Sequence, residues 1–241
     1  MESYKIFIGV VAFNDCDGLK HTILKVKPLL NDNVQMIIKD AVSNDGTREV
    51  ALEAALNSEY IKAESSHDTG IYNAMNRIIE MAPDDASLIF LGCGDYFIRF
   101  NPPKIQYDMS FGDCMIDNDL FISSSSYYKN FLTGNRLHHQ SLLTKVSILK
   151  KRPFREKFPV YADYDLNLML LANHSAERCD ILSFMSPGGI SSKANIFAMA
   201  YVISHHNWVF AIGFLIYRFS LKILRFGTKI LGFIGLKVFH K

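Results

Sequence analysis

The sequence predicts an α/β fold built on a doubly wound, mostly parallel sheet. Three short, densely apolar runs support this, at residues 6–13, 34–39 and 87–91. Runs of this length and composition are typical of strands that are buried on both faces. Segments with helical spacing of apolar residues separate the runs, and such alternation of strand and helix favours parallel pairing.

The helices between these runs are predicted by their periodicity. Apolar residues recur every three or four positions in residues 19–30, 50–55 and 71–79. This spacing gives each segment one apolar face that can pack on a sheet. The first segment ends near Pro28, and the other two follow glycines at 46 and 70.

The second half of the sequence is less regular. Residues 111–126 are loosely strand-like, whereas residues 145–151 and 162–172 favour helices. The Gly- and Ser-rich run at 186–192 predicts a loop that ends the globular body. We therefore expect an α/β domain over residues 1–195 and a separate helical region over residues 196–241.

Composition and charge limit the class of protein. Of the 241 residues, 49% are hydrophobic, which suffices for a large core and argues against disorder. The formal net charge of +2 offers nothing to suggest a nucleic-acid partner, and we expect none. Residues 181–241 hold seven of the 26 basic residues and none of the 24 acidic ones, so residues 1–180 carry a net charge of −5. A purely basic tail suggests contact with an anionic partner.

The cysteines and the N-terminus favour a reducing compartment. Four cysteines are scattered without the spacing of a metal site, and we interpret them as free thiols: Cys16, Cys93, Cys114 and Cys179. The apolar run at residues 6–13 follows Glu2 and Lys5 and leads into polar residues without a small-residue cleavage site. We interpret it as a buried strand rather than a signal peptide.

Polar clusters follow each of the three predicted strands, at residues 14–15, 40–47 and 92–95. Ligands of such sheets bind beyond the carboxyl ends of the strands, so these clusters are expected to converge on one edge. A fourth polar stretch at residues 65–70 opens a helix and could join them.

Two aspartates in these clusters are candidates for chemistry. Asp45, Ser43 and Thr47 suit an ordinary turn and helix cap, which leaves Asp40 without a local role. A ring N–H or a ribose hydroxyl would suit its carboxylate. Asp95 follows Gly92 and Gly94, which would let a bulky ligand approach, and it could hold a hard cation or cap a turn.

Six segments, in order and over residues 4–195, resemble the motifs of family 2 glycosyltransferases with the GT-A fold. The first three are DAVSNDGT at residues 40–47, DTGIYNAMN at 68–76 and FLGCGDYF at 90–97. The later three are HQ at 139–140, ADYDL at 162–166 and GGISS at 188–192. The later segments are similar to the branch that builds colanic acid, O-antigen and capsule.

The resemblance implies a role for each matched residue. It implies that Asp163 is the general base for the acceptor hydroxyl, with Asp165 as a rival base or a supporting group. It implies that His139 and Gln140 lie near the reacting sugar, and that Asp95 ligates Mn²⁺ or Mg²⁺ at the donor diphosphate. The donor side is implied to comprise Phe13, Asn14, Asp40, Ser43, Asp68 and Gly94.

This sequence departs from the family pattern at two positions. The first carboxylate of the usual acidic pair is missing, with Gly92 and Gly94 around the single Asp95, which puts metal affinity in doubt. An acidic position of the helix segment is Asn73. Asp95 and Asp163 are kept, so we expect activity.

The C-terminal region predicts an interfacial helix. The apolar runs at residues 196–203 and 208–217 are each shorter than the ~20 residues that a spanning helix needs. Basic residues at steps of three and four share one helical face: Arg218, Lys222, Arg225 and Lys229. A basic stripe beside aromatic and aliphatic residues is typical of a helix lying in the membrane surface. The alternatives to an interfacial helix are a helix that packs on the core and a kinked membrane-spanning hairpin over residues 196–239.

His205 and His206 are adjacent, but the sequence around them offers no third or fourth ligand, so we expect no metal site there.

Together these features predict an inverting glycosyltransferase at the cytoplasmic face of the bacterial inner membrane. The expected donor is a nucleotide sugar, UDP-linked, and the expected acceptor is a lipid-linked oligosaccharide. One alternative is a non-catalytic nucleotide-sugar-binding or scaffold protein of a glycan-assembly complex. Another is a nucleotidyltransferase, which would need a Gly- and Arg/Lys-rich phosphate loop that residues 9–18 lack. The oligomeric state stays open.

Overall fold

The computed structural model describes residues 4–187 and 196–233. The elements of the first half are β1 (Ile6–Ala12), α1 (Cys16–Val26), β2 (Val34–Asp40), α2 (Thr47–Leu56), β3 (Ile61–Ser65), α3 (Ile71–Met81), β4 (Ser87–Gly92) and β5 (Tyr96–Asn101). Those of the second half are β6 (Met109–Ile116), β7 (Asp119–Phe121), α4 (Tyr127–Thr133), β8 (Leu142–Lys145), α5 (Val146–Lys151), α6 (Ala162–Leu171), β9 (Ala176–Met185), α7 (Ile196–Ser204) and α8 (Trp208–Phe233). Short 3₁₀ turns lie at Lys27–Leu29 and His139–Ser141.

These strands form one mixed sheet in the order β3-β2-β1-β4-β8-β6-β9-β5, with β7 paired to β6. The four strands β1 to β4 are mutually parallel, as the alternation of strands and helices predicts. The second half adds antiparallel pairs at β8 and β5 and a parallel pair between β6 and β9. The predicted α/β, doubly wound and mostly parallel fold is confirmed.

The sheet has an apolar core on each face because successive side chains of a strand point to opposite sides. In β1, Ile8 and Val10 pack with Leu19 of α1. Phe7 of the same strand packs on the other face with Ile78 of α3. Helices α1 and α2 therefore cover one face, and α3, α5 and α6 cover the other.

The helical region after residue 195 shares this second core. Val202 and Ile203 of α7 and Phe214 of α8 are 0–1% exposed and belong to the same apolar cluster as α3 and α6. The domain boundary at residue 195 stays a prediction, but α7 and the start of α8 pack directly on the α/β body. This packing matches the core-packing alternative for that part of the region.

Helix α8 is a single helix of 26 residues. The predicted basic stripe depends on the side chains at 222, 225 and 229, which the structure does not describe. The GGISS segment and residues 234–241 lie outside the described residues. No helix within the described ranges is long and apolar enough to cross a membrane.

Candidate functional site

The register of the sheet places four strand ends level with one another. Ala12 pairs with Asp40, Asp40 pairs with Ser65, and Val11 pairs with Gly92. The loops that follow β1, β2, β3 and β4 therefore open at the same edge, which we call the carboxyl edge. All four polar clusters of the sequence lie there, as predicted.

At this edge the loops after β1 and β2 are joined through Asp40. Its carboxylate, 0% exposed, accepts hydrogen bonds from Ser43 Oγ at 2.5 Å and Ser65 Oγ at 2.6 Å. The Ser43 backbone N–H also donates to it at 3.1 Å, and Ser43 Oγ accepts from the Asn14 N–H at 2.8 Å. The expectation that Asp40 has no local role was wrong, because this carboxylate closes the turn after β2 and ties it to β3. Its role toward a nucleotide stays a prediction.

The same loops hold two residues in the left-handed region. Asn14 has φ +48° and Val42 has φ +59°. Asn tolerates this conformation, but a β-branched residue there is strained by on the order of 1–3 kcal/mol. Asn14 Oδ1 accepts a hydrogen bond from the Asn44 N–H at 3.1 Å, so the two loops hold each other. Phe13, the other predicted donor-side residue of this loop, is 64% exposed.

Asp68 is joined to these loops by a buried lysine. Lys39 is 0% exposed, and its Nζ donates to the carbonyl oxygens of Asp40 at 2.8 Å and Ser66 at 2.6 Å. The same Nζ lies 3.5 Å from Asp68 Oδ2. The sequence pattern places Lys39 at the end of an apolar strand and gives it no role at the site. A charged residue in a buried run was the available signal, since buried charges are paired.

Asp95 is held inside the turn that follows β4. It is 4% exposed, and three N–H donors reach its carboxylate, from Gly92 at 2.8 Å, Gln140 Nε2 at 3.1 Å and Ser186 at 2.8 Å. Burial raises the pKa of Asp95 above its ordinary value, although these donors act in the opposite direction. Gly94 has φ +85°, and a Cβ there would lie 2.9 Å from Ser186 Oγ.

The carboxyl edge is rich in negative charge. Burial raises the pKa of the Cys93 thiol well above its usual value. Four carboxylates raise it further: Asp15, Asp95, Asp40 and Asp45. These four acids lie at the ends of, or in the loops after, β1, β2 and β4 at the carboxyl edge.

The residues described at this edge do not by themselves fit a resident divalent cation. Both Asp95 oxygens already accept N–H hydrogen bonds, and the side chain is buried. Within residues 4–187 and 196–233, no group of three or more His, Cys, Asp or Glu residues could hold a metal ion. The expected Mn²⁺ or Mg²⁺, with Asp95 as its ligand, stays a prediction.

Asp163 lies in the first turn of α6, where its carboxylate is not a helix cap. Oδ2 accepts from Asn135 Nδ2 at 2.9 Å, and Oδ1 lies 3.0 Å from the Tyr72 hydroxyl. The same hydroxyl is 2.7 Å from the Val160 carbonyl oxygen. His139 Nδ1 is 3.8 Å from Oδ2, and the Asp163 side chain keeps 14% of its surface exposed. This carboxylate is thus oriented by two neighbours and still reachable.

The surroundings of Asp163 favour its ionised form. Burial alone would raise its pKa, but the His139 ring and hydrogen bonds from the Tyr164 N–H and Tyr72 outweigh burial and lower it. Burial and the charge of Asp163 in turn raise the pKa of Tyr72 well above its usual range, which keeps this hydroxyl protonated. The geometry provides a charged carboxylate that can accept a proton.

The 3₁₀ turn at His139–Ser141 links Asp95 to Asp163, because Gln140 bonds Asp95 and His139 faces Asp163. These four predicted residues are therefore brought together. Asp165 is not among them, since its buried carboxylate binds Arg155 and His206 on another side of α6.

The sequence pattern did not identify the two neighbours of Asp163, which are Tyr72 and Asn135. Tyr72 lies in the DTGIYNAMN segment and could have been found, whereas nothing in the sequence marks Asn135.

No protein-family model matches the chain, and no curated protein matches it. Solved structures do. Residues 1–349 of TarS from S. aureus, in complex with UDP-GlcNAc, align with TM-score 0.64 and 14% identity over 90% of this chain and 73% of that one. The mannosyltransferase PcManGT from Pyrobaculum calidifontis, in complex with GDP-Man and Mn²⁺, gives TM-score 0.57 and 10% identity over 84% and 62%.

Glucosyl-3-phosphoglycerate synthase from Mycobacterium tuberculosis, in complex with Mn²⁺, UDP and glucosyl-3-phosphoglycerate, aligns with TM-score 0.56 and 14% identity. This alignment covers 79% of this chain and 75% of that one. At these identities the similarity shows the fold, which is the GT-A fold that the sequence motifs imply.

Proposed function

We propose that this chain is an inverting glycosyltransferase that moves a sugar from a UDP-linked donor to a lipid-linked oligosaccharide in surface polysaccharide synthesis. The observation that carries the proposal is Asp163, a reachable and ionised carboxylate. The turn at His139–Ser141 connects it to the carboxyl edge, where Asp40 and Asp68 lie. The similar solved structures hold UDP-GlcNAc, UDP or GDP-Man, which supports a nucleotide-sugar donor.

In the proposed reaction, an acceptor hydroxyl attacks the anomeric carbon of the donor sugar. The new carbon–oxygen bond forms as the bond from that carbon to the diphosphate oxygen breaks, and the nucleoside diphosphate leaves with the electron pair. The hydroxyl proton passes to Asp163, which must lie within hydrogen-bond reach of it. A single displacement of this kind inverts the anomeric centre.

Asn135 and the Tyr72 hydroxyl support this proton transfer by fixing the orientation of the carboxylate. Asn135 occupies one lone pair of Oδ2 at 2.9 Å and leaves the others for substrate. The exposed 14% of the Asp163 side chain is the surface through which an acceptor would reach it.

We further propose that the chain acts as a peripheral protein at the cytoplasmic face of the bacterial inner membrane. Six side chains on α7 and the first half of α8, which we call the apolar surface, are each at least 50% exposed: Phe197, Tyr201, Trp208, Val209, Ile212 and Ile216. Arg218 follows them on α8, and residues 181–241 contain no acidic residue. Such a surface suits the boundary of an anionic bilayer, where each basic group contributes ~1 kcal/mol.

A binding or scaffold protein is the second candidate function. The observation that favours it is the engagement of Asp95, whose oxygens already accept three N–H bonds at a site that lacks the first carboxylate of the usual pair. Such a protein would bind a nucleotide sugar without releasing nucleoside diphosphate.

Turnover separates the two candidates. The purified chain is incubated with radiolabelled UDP-GlcNAc, UDP-glucose, UDP-galactose or GDP-mannose and a bacterial lipid extract. Protein-bound label, released nucleotide and lipid-bound label are measured. We expect one UDP-sugar to give both products. Binding of a donor without release of nucleotide would favour the scaffold, and no binding at all would refute both.

The membrane proposal is tested by co-sedimentation with vesicles of phosphatidylglycerol and with vesicles of phosphatidylcholine. We expect binding to the anionic vesicles, and loss of it in Ile212→Glu, which places a charge in the apolar surface. Leu24→Glu is the matched control, because Leu24 is 69% exposed on α1. Equal sedimentation of the two variants would contradict the proposal.

A further inference from the structure

Two side chains from separate parts of the chain meet around the carboxylate of Asp165. Arg155, which precedes α6, donates to both oxygens, through Nε at 2.6 Å and through Nη2. His206, in the turn between α7 and α8, places Nε2 2.8 Å from Oδ1. Asp165 is 0% exposed, whereas the side chains of Arg155 and His206 keep 35% and 11% exposure. We call these three residues the latch.

The latch lies two residues from the candidate base on the same helix. Residues two apart on an α-helix are about 200° apart around its axis, so Asp163 and Asp165 point in nearly opposite directions. Asp163 contacts Asn135 on one side, and Asp165 contacts the latch partners on the other. Between them, Tyr164 donates its hydroxyl proton to the Asn130 carbonyl oxygen at 2.6 Å. The first turn of α6 is thus fixed from three directions.

We propose that the latch positions the Asp163 carboxylate for proton acceptance by fixing the first turn of α6 to the turn between α7 and α8. Arg155, Asp165 and His206 are positioning residues, since they act on Asp163 through the helix that carries it. The inference rests on the proposed function, because it concerns the base of that reaction. His206 belongs to the helical region that carries the apolar surface, so the latch joins that surface to the base.

The physical reason is that His206 supplies the hydrogen bond that ties α6 to the turn between α7 and α8. Without it, Arg155 still balances the charge of Asp165, but Oδ1 loses one hydrogen bond and the first turn of α6 can shift. A displacement of about 1 Å at a catalytic group can lower a rate on the order of 100-fold. The donor loops lie on β1, β2 and β3, so donor affinity is expected to survive.

The test compares three variants of the full chain. We expect His206→Ala to lower kcat roughly 10- to 100-fold while the donor KM stays within about threefold. His206→Gln, whose amide can still donate to Asp165, is expected to recover most of kcat. His205→Gln is the matched control, because His205 is exposed and bonds the Tyr201 carbonyl oxygen instead. Hydrogen exchange of α6 peptides is measured on the same proteins, and faster exchange is expected only in His206→Ala.

Three results would overturn the inference. One is a kcat for His206→Ala equal to that of His205→Gln. Another is a parallel loss of kcat and UDP affinity, as general unfolding gives. The third is unchanged exchange at α6. A wild-type protein that turns over no donor refutes the proposed function instead, and the exchange rates then still decide whether the latch fixes α6.

Discussion

Replacing Asp163 by Asn isolates proton acceptance from every other role of this side chain. Asn has the same shape, and its amide oxygen can accept the hydrogen bond that Asn135 donates at 2.9 Å. The amide nitrogen then faces the Tyr72 hydroxyl, whose proton can go to the Val160 carbonyl oxygen 2.7 Å away while its oxygen accepts from the new amide. The two side-chain hydrogen bonds of Asp163, with Asn135 and Tyr72, therefore each have a counterpart in the variant.

We expect Asp163→Asn to change kcat far more than it changes the free energy of unfolding. Loss of a general base lowers kcat on the order of 10²- to 10⁴-fold, which corresponds to roughly 3–5 kcal/mol in activation free energy. Because the hydrogen bonds are kept, the free energy of unfolding should change by less than about 1 kcal/mol, and Tm by less than about 4 °C.

The assay measures nucleoside diphosphate release and sugar transfer at saturating donor, with thermal denaturation on the same preparations. Asp17→Asn is the control, since the Asp17 side chain is 99% exposed and forms an ion pair with Lys20, at 3.7 Å, on the surface of α1. Transfer by Asp163→Asn within about threefold of the wild-type rate would refute the assignment of the base.

Three further outcomes are expected. Because the pKa of Asp163 is lowered below its ordinary value of about 3.9, its ionised form stabilises the fold above that pH, and this contribution is lost as pH falls through the folded pKa. The pH profile of kcat/KM should therefore show no protonation of the base between about pH 5 and pH 8, and an acid limb centred near pH 6 would contradict this. Calorimetric titration with Mn²⁺ in the absence of nucleotide should show no micromolar site, because the Asp95 oxygens are engaged. UDP affinity that Mn²⁺ leaves unchanged, together with no turnover, would favour the scaffold. Gly112→Ala should lower the free energy of unfolding by about 3 kcal/mol and Tm by roughly 6–12 °C, since its Cβ would lie 1.9 Å from the Ile181 carbonyl oxygen. Gly213→Ala, in open space on α8, is the control, and equal Tm values would show that β6 and β9 are not packed as described.

The parallel half of the fold could be predicted because its signals are local. The runs at residues 6–13, 34–39 and 87–91 became β1, β2 and β4 with ends shifted by one residue at most. A strand buried on both faces needs apolar residues throughout, which makes it visible in a short window. The convergence of the polar clusters followed from parallel pairing alone.

The antiparallel half gave no such signal. The strand β9 reads AERCDILSFM, with three charged residues in its first half. It pairs with β6, whose paired residues lie 67–69 positions earlier, and with β5, whose paired residues lie 79–88 positions earlier. Pairing over that distance depends on tertiary packing, which overrides the local pattern. The same holds for the site, where Asn135 and His206 reach α6 from segments 28 and 41 residues away.

Asp40 illustrates a different limit. Its position at a strand end was predicted, but its partners were not, because Ser65 comes from β3, a strand that the sequence pattern did not identify. Without Ser65, the sequence gives the Asp40 carboxylate no local hydrogen-bond role. In the structure this carboxylate accepts hydrogen bonds from Ser43 and Ser65, and a bound nucleotide would compete with these two hydroxyls for its oxygens.

Binding of a nucleotide sugar to this chain can be measured by calorimetric titration of the purified chain with a panel of UDP- and GDP-sugars. We predict that a UDP-sugar binds with a dissociation constant below about 1 mM, in the usual range of enzyme substrates. Asp17→Asn should bind it equally well, and Ser43→Ala, which removes the hydroxyl between Asp40 and Asn14, should bind it more weakly. If no nucleotide sugar gives a heat of binding at millimolar concentration, with or without Mn²⁺, the proposed function is refuted.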